Sequence, residues 1–225
     1  MILALAAAIL PAVSAADVAF DASRLREGRF TYQLSIKGKP LGNAVIEIRR
    51  QPSGDYRISF DSNDIDQRWS SQMTRAFLPL AAELQMPGKT EPYRMSIRYA
   101  GAEVSGTESR GASARQVAAK LEGQVVDQRV DWAAMMAAQF PEGGRIEFRV
   151  FDPSTSMSPL LGSTASAEPI ASVLGTSDVI RLDYTIRKAD HTESYSVFAT
   201  REIPRVMIRE DMPNELVSVL VAVDD

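Results

Sequence analysis

Apolar and polar residues alternate along most of this chain. In RFTYQLSIKG, Phe30, Tyr32, Leu34 and Ile36 take every second place, with Thr31, Gln33, Ser35 and Lys37 between them. Strand side chains point to opposite faces in turn, so the first set lines one apolar face and the second meets water. Gly38, Pro40 and Gly42 interrupt the run and predict a turn. Ala44, Ile46 and Ile48 then resume the apolar face. Such a hairpin is not stable alone and needs more sheet against its apolar side.

The same period returns in Tyr56/Ile58/Phe60, in Trp69/Ser71/Met73 running on to Phe77, and in Tyr93/Met95/Ile97/Tyr99. It recurs in Ile146/Phe148/Val150, in Ile180/Leu182/Tyr184/Ile186, and in the stretches ESYSVFATRE, RVMIRED and ELVSVLVAVDD. Pro52-Ser53-Gly54, Pro87-Gly88, Gly143-Gly144, residues 188–192 and Pro213-Asn214 punctuate these runs as turns. Many strands joined by short turns predict an all-β protein: one large, strongly curved antiparallel sheet of the open-barrel or half-barrel kind.

One segment lacks alternation. In DWAAMMAAQFPEGG, Trp132, Met135, Met136 and Phe140 recur at helical spacing. Asp131 is placed to cap a short helix near 132–140, and Pro141 with Gly143-Gly144 ends it. RQVAAKLEGQVV reads as strand. DPSTSMSPLLGSTASAEP reads as a Ser/Thr/Pro-rich connection over one end of the sheet.

The first residues, MILALAAAILPAVSAADVAF, change the picture of location. An apolar run is followed by small residues that suit cleavage, the pattern of a secretory signal peptide over residues 1–16. The run is shorter than the roughly 20 residues that span a bilayer, and it contains Pro11. The expected arrangement is a leader at 1–16 and one β-rich domain at 17–225, in the periplasm or secreted, with no membrane span left after cleavage. A chain of 225 residues suits a single domain and buries roughly 70% of its unfolded surface, so its core needs no cross-link. There is no cysteine, hence no disulfide, no thiolate metal site and no lipid-bearing Cys behind the leader. The net charge of −4, without a dense basic patch, argues against a nucleic-acid partner.

Candidate chemistry is sparse. The single histidine, His191, lies in the turn KADHTES, and no Gly-x-Ser-x-Gly elbow exists to complete a triad. DSNDID suggests calcium, but counted as a calcium loop from Asp61 it fails at Ile65, Asp66 and Gln72. Asp127 with Asp131, and Asp64 with Asp66, are the paired carboxylates that acid–base chemistry could use, though aspartate is equally at home in turns and caps. No cofactor is implied, and the chain reads as non-enzymatic. What remains is an inner sheet face carrying Phe30, Tyr32, Tyr56, Phe60, Trp69, Phe77, Tyr93 and Tyr99. It is either a filled core or a wall around an apolar ligand. Trp69, Phe77, Tyr93 and Trp132 are the ligand-binding candidates. Expected partners are an apolar, lipid-like small molecule or, using a free sheet edge, another protein of the cell envelope.

Several landmarks occur together: Gly38-Lys39-Pro40-Leu41-Gly42 at the first hairpin tip, Tyr56-Arg57-Ile58, Val130-Asp131-Trp132, and Pro204 to Arg209 before an apolar last strand. In these the chain resembles, over roughly residues 24 to 223, a family of bacterial exported β-proteins of unknown function. The resemblance implies an open barrel or half-barrel loosely similar to envelope lipoprotein and lipid carriers, and it brings no catalytic residues. The chain departs from that pattern at SYSVFATRE, where the family carries a tryptophan.

Overall fold

The computed structural model describes residues 18–224 apart from 89 and 140. The leader expected at 1–16 and Phe140 lie outside these residues. The chain begins with eight consecutive strands: β1 (Gly28–Ile36), β2 (Lys39–Arg50), β3 (Tyr56–Ser62), β4 (Gln67–Met73), β5 (Pro79–Met86), β6 (Tyr93–Ala100), β7 (Glu103–Arg110) and β8 (Ser113–Lys120). Next come β9 (Val125–Asp127), the helix α1 (Asp131–Ala137), β10 (Arg145–Asp152) and β11 (Ser156–Ser166). A small hairpin of β12 (Ile170–Ser172) and β13 (Gly175–Ser177) precedes β14 (Val179–Arg187), β15 (Thr192–Thr200), β16 (Met207–Met212) and β17 (Leu216–Asp224).

All but the small hairpin form one 15-stranded sheet, in the order β8 to β1, then β17, β16, β15, β14, β11, β10, β9. Two meanders are thus joined at the midline by the antiparallel pair β1–β17. Every pair is antiparallel except β9–β10. A parallel pair needs a crossover, and α1 supplies it. The crossover lays the helix on the inner face, where all seven of its residues are buried.

The sheet is open but rolled. β9 at one end packs on β5, near the other end. Val125 and Phe151 of the β9–β10 end share a cluster with Ala82, Met95, Ile97, Tyr99, Val104 and Val117 from β5 to β8. The two ends therefore meet face to face, without ladder hydrogen bonds. The main core lies between the helix and the strands from β4 through β1 to β10, with Phe30, Tyr32, Ile58, Met135, Met136, Phe148 and Tyr184 fully buried.

Cross-strand register fixes which side chains face inward. Ile48, Ile58, Ser71, Ala82, Ile97 and Gly106 form one row across β2 to β7. A Cβ on Gly106 would lie 2.1 Å from the Ser96 carbonyl oxygen and 2.7 Å from Ile97 Cα. Both are backbone atoms that cannot swing aside. Gly106→Ala is accordingly expected to cost about 1–3 kcal/mol through displacement of β7 from β6, read as a lowered urea midpoint at unchanged slope.

Three sequence expectations need correction. Residues 156–166 form β11 inside the sheet, where a connection was expected. α1 stops at Ala137, because Ala138 adopts extended angles. Asp131 does not cap it: the preceding Val130 holds the cap position without a side-chain bond, and the Asp131 carboxyl turns to the core.

Candidate functional site

The inner row beside Gly106 runs Ile46, Phe60, Trp69, Leu84, Met95, Glu108 across β2 to β7. The next row includes Met86, Tyr93 and Arg110. Ile46 and Met95 are buried, whereas Phe60, Trp69, Leu84, Met86 and Tyr93 are half-buried. The Phe60 and Trp69 rings stack at 5.6 Å, 3° from parallel. The interior is thus filled at its middle by α1 and leaves a strip of apolar side chains partly uncovered on the β3–β6 arm.

At the far end of this strip lies an open groove of about 710 Å³, floored by Leu84, Met86 and Tyr93. Thr90, Glu91, Glu108, Arg110, Asp152 and Ser154 rim it. The Arg110 guanidinium sits 5.7 Å above the Tyr93 ring. Burial, then the neighbouring Glu108 charge, push the Tyr93 phenol up to about 12, so it is neutral and donates its hydrogen bond. Glu108 is ion-paired with Arg115. Asp152, the last residue of β10, accepts from Ser154 N–H at 2.8 Å.

Asp152 leads inward to a buried network at the seam. The Arg129 guanidinium pairs with Asp127, lies 3.5 Å from Asp152 Oδ2 and donates to Met95 Sδ at 3.5 Å. Tyr99 Oη donates to Asp127 Oδ2 at 2.8 Å. Burial, the largest influence, would make the Arg129 guanidinium less basic, but Asp127, Tyr99 and Asp152 together outweigh it and hold the group above its usual value. Asp152 at the rim is thereby tied through the buried Arg129 to Met95, which pairs with Leu84 of the floor.

The four predicted ligand residues divide two and two. Trp69 and Tyr93 lie on the same inner face, bridged by Leu84, which pairs with Trp69, and Met86, which pairs with Tyr93. Phe77 and Trp132 are core side chains. Strand β4 ends at Met73, so Phe77 does not share a strand face with Trp69 as the alternation predicted. It lies in the turn that Thr74 N–H closes onto the Leu78 carbonyl, and its ring packs 5.9 Å from Phe20.

A second buried polar cluster was not expected. Asp131 Oδ1 accepts from Trp132 N–H at 2.6 Å and from Tyr184 Oη at 3.1 Å. Glu210 is buried on the inner face of β16, between Val197 and Ser218. Burial raises Asp131 to about 7 against the pull of these donors and of Lys188. Burial, with Asp131 beside it, raises Glu210 to about 8. Of the paired carboxylates weighed from sequence, Asp127 and Asp131 are thus both interior, each in a different network. Asp64 and Asp66 sit in the turn between β3 and β4 and accept backbone N–H bonds from Asn43 and Gly88. His191 is a turn residue bonded to Asp190 at 2.6 Å and Glu193 at 3.4 Å, and these carboxylates raise its basicity. Among the described residues no cluster of His, Cys, Asp or Glu is placed to hold a metal ion, and no helix is long and apolar enough to cross a membrane.

Fold and groove define a class: an open, rolled single-sheet β-protein with one helix as its plug and a half-covered apolar strip on one arm. The chain belongs to the family described as a protein of unknown function (DUF3108), whose model it matches over residues 31–223. Two crystal structures are similar. One is a candidate exported protein with a YmcC-like fold from Bacteroides fragilis, 12% identical, with a TM-score of 0.36 over 92% of this chain and 100% of that one. The other is a candidate lipoprotein from Parabacteroides distasonis, 8% identical, with a TM-score of 0.36 over 92% and 99%. No curated protein matches the chain.

Proposed function

We propose that this is an exported, non-enzymatic binding module of the cell envelope that holds an amphiphile along the strip from Trp69 to Tyr93. The observation that carries the reading is the groove of about 710 Å³. Its floor is apolar and its rim is charged, which suits a molecule with an apolar body and a polar end. The leader-like apolar run at residues 1–16 supports export, and the periplasm is the compartment proposed. Glu108 and Asp152 are engaged by Arg115 and Arg129, which favours a structural role at the rim over acid–base work. The interior pair Asp127 and Asp131 likewise lends no cleft to hydrolysis.

The test is native mass spectrometry, with organic extraction, of protein purified from a bacterial periplasm, joined to titration with the apolar probe N-phenylnaphthylamine. A co-purifying apolar mass is expected. Leu84→Asp, which places a charge on the floor, is expected to weaken probe binding at least about tenfold, the equivalent of about 1.4 kcal/mol. Probe binding that Leu84→Asp and Tyr93→Ala both leave unchanged would sink the groove as the site.

A further inference from the structure

We propose that the small hairpin β12–β13 is a membrane-docking finger, which seats Val173 and Leu174 at its tip, with Ile203 beside them, in the interface of a lipid bilayer. The inference is independent of the groove reading, since hairpin and groove share no residue. It begins with a turn that departs from ordinary turn chemistry. Ser172 pairs with Gly175, so Val173 and Leu174 are the two loop residues. Gly175, at φ 88°, supplies the left-handed residue that closes the loop. Nothing in the backbone asks for apolar side chains there, and Asn, Asp or Ser is the usual occupant of such a place. Yet Val173 is 52% exposed and Leu174 is 38% exposed. The stretch from Pro169 to Ser177 carries no charge.

The hairpin is a separate two-stranded unit, and neither of its strands joins the large sheet. Ala167 and Ile170 root it on the main core. At the tip the Ser172 hydroxyl accepts from Leu174 N–H at 3.1 Å and donates to the Gly175 carbonyl at 3.3 Å. A donor and an acceptor of the tip are thus satisfied within the hairpin, as entry into a medium without water requires.

A hollow of about 530 Å³ lies between the hairpin and the β15–β16 turn, with Leu174 and Asp178 on one side and Arg201 and Glu202 on the other. Arg201 N–H donates to the Asp178 carbonyl at 2.9 Å, and the guanidinium pairs with Asp178 and Glu142. These bonds fix the turn beside the root of the hairpin. Ile203, the residue after Glu202, is 51% exposed and adds a second apolar prong. Three side chains fall far short of the roughly 800 Å² per partner that a stable protein interface buries. A bilayer needs no matching surface, and its affinity grows with each apolar side chain buried. Charges of both signs flank the prongs: Glu168, Asp178 and Glu202 with Arg201 and Arg205. No cationic surplus draws them to anionic lipid, so burial of apolar surface must supply the affinity.

The chain has no cysteine, so Val173→Cys offers a unique attachment point for the polarity-sensitive dye NBD, at an exposed site that leaves the core untouched. Vesicles of phosphatidylethanolamine and phosphatidylglycerol are the probe. The dye is expected to brighten with a blue shift, and to be quenched by doxyl groups on the acyl chains. Docking by so few side chains is weak and reversible, with half-binding near about 1 mM lipid. NBD at Leu41→Cys, also exposed but in the β1–β2 hairpin, is expected to stay silent. The unlabelled chain carrying Leu174→Asp and Ile203→Asp is expected to bind vesicles at least about tenfold more weakly in flotation, with its urea midpoint unchanged. A silent dye at position 173 in lipid well above that concentration, an equal response at Leu41, or unaltered flotation of the double variant would each overturn the finger. So would binding that grows in step with the phosphatidylglycerol fraction, since that would trace the affinity to charge.

Discussion

Arg129→Ala is expected to destabilise the fold by about 3–5 kcal/mol, because it strands a buried carboxylate. Asp127 and the Arg129 side chain are 1% and 8% exposed. Without the guanidinium, Asp127 keeps only the Tyr99 hydroxyl and the backbone N–H of residue 129, which bonds Oδ1 at 3.0 Å. That leaves a charge in an apolar setting with no counter-charge beside it. Restoring neutrality with Asp127→Asn in the same chain should recover a large part of the loss, since the penalty arises from the unpaired partner more than from the pair itself. Chemical unfolding of the two single variants and the double variant measures the coupling. Equal losses in Arg129→Ala and in the double variant would show that the ion pair does not hold the seam. Hydrogen exchange places the damage: amides of β6 and β10, which meet at Tyr99 and Phe151, should open first.

Trp132→Ala carries an effect of the same size for a different reason. Removing a buried tryptophan costs about 3–5 kcal/mol through lost transfer energy and the cavity left behind. Trp132 is 5% exposed, on a helix whose neighbours Ala133, Ala134 and Met135 are fully buried. The expected result is a large drop in the urea midpoint with probe affinity of the folded fraction unchanged. Leu84→Asp should show the reverse balance, because Leu84 faces the groove. A Trp132→Ala chain that kept its stability and lost its probe would return this tryptophan to the binding surface.

From sequence alone Trp132 and Trp69 look equivalent, each an aromatic in an apolar pattern. What separates them is the crossover that carries α1 inside the roll, a tertiary event with no local signature. The strands were legible where inner residues are large, as in Phe30/Tyr32/Leu34 and Ile180/Leu182/Tyr184. They faded where the inner residues must be small. In β11 the inward places are Ser158, Leu160, Gly162 and Thr164, alternating with Pro159 and Leu161. Gly162 lies under the helix, where an added Cβ would meet Met135 Cε at 2.5 Å. Room for the helix thus erased the contrast that announces a strand, and Pro159 completed the disguise. Likewise β5 turns Ala82 and Leu84 inward from an Ala-rich run beginning at Pro79. Trp69 and Tyr93 were legible as inward aromatics, but the groove between them depends on register across β4, β5 and β6. Glu210 was missed because a buried carboxyl at an inward register of β16 breaks the alternation rule, and Asp131 was legible as a carboxylate but not as a core group bonded to Tyr184.

The pairing of β1 with β17 bears on the order in which the molecule assembles. Consecutive strands can zip as they appear, since each neighbour is close in the chain. The central seam cannot, because its two strands come from opposite ends of the described chain and must close the longest loop of all. Until β17 arrives, β1 presents an open row of N–H and C=O groups, the kind of edge that recruits unwanted strands. Assembly of the protein is therefore a race between the arrival of its last strand and the capture of its first by something else. Loss of that last strand would not trim the sheet at a border; it would split it down the middle.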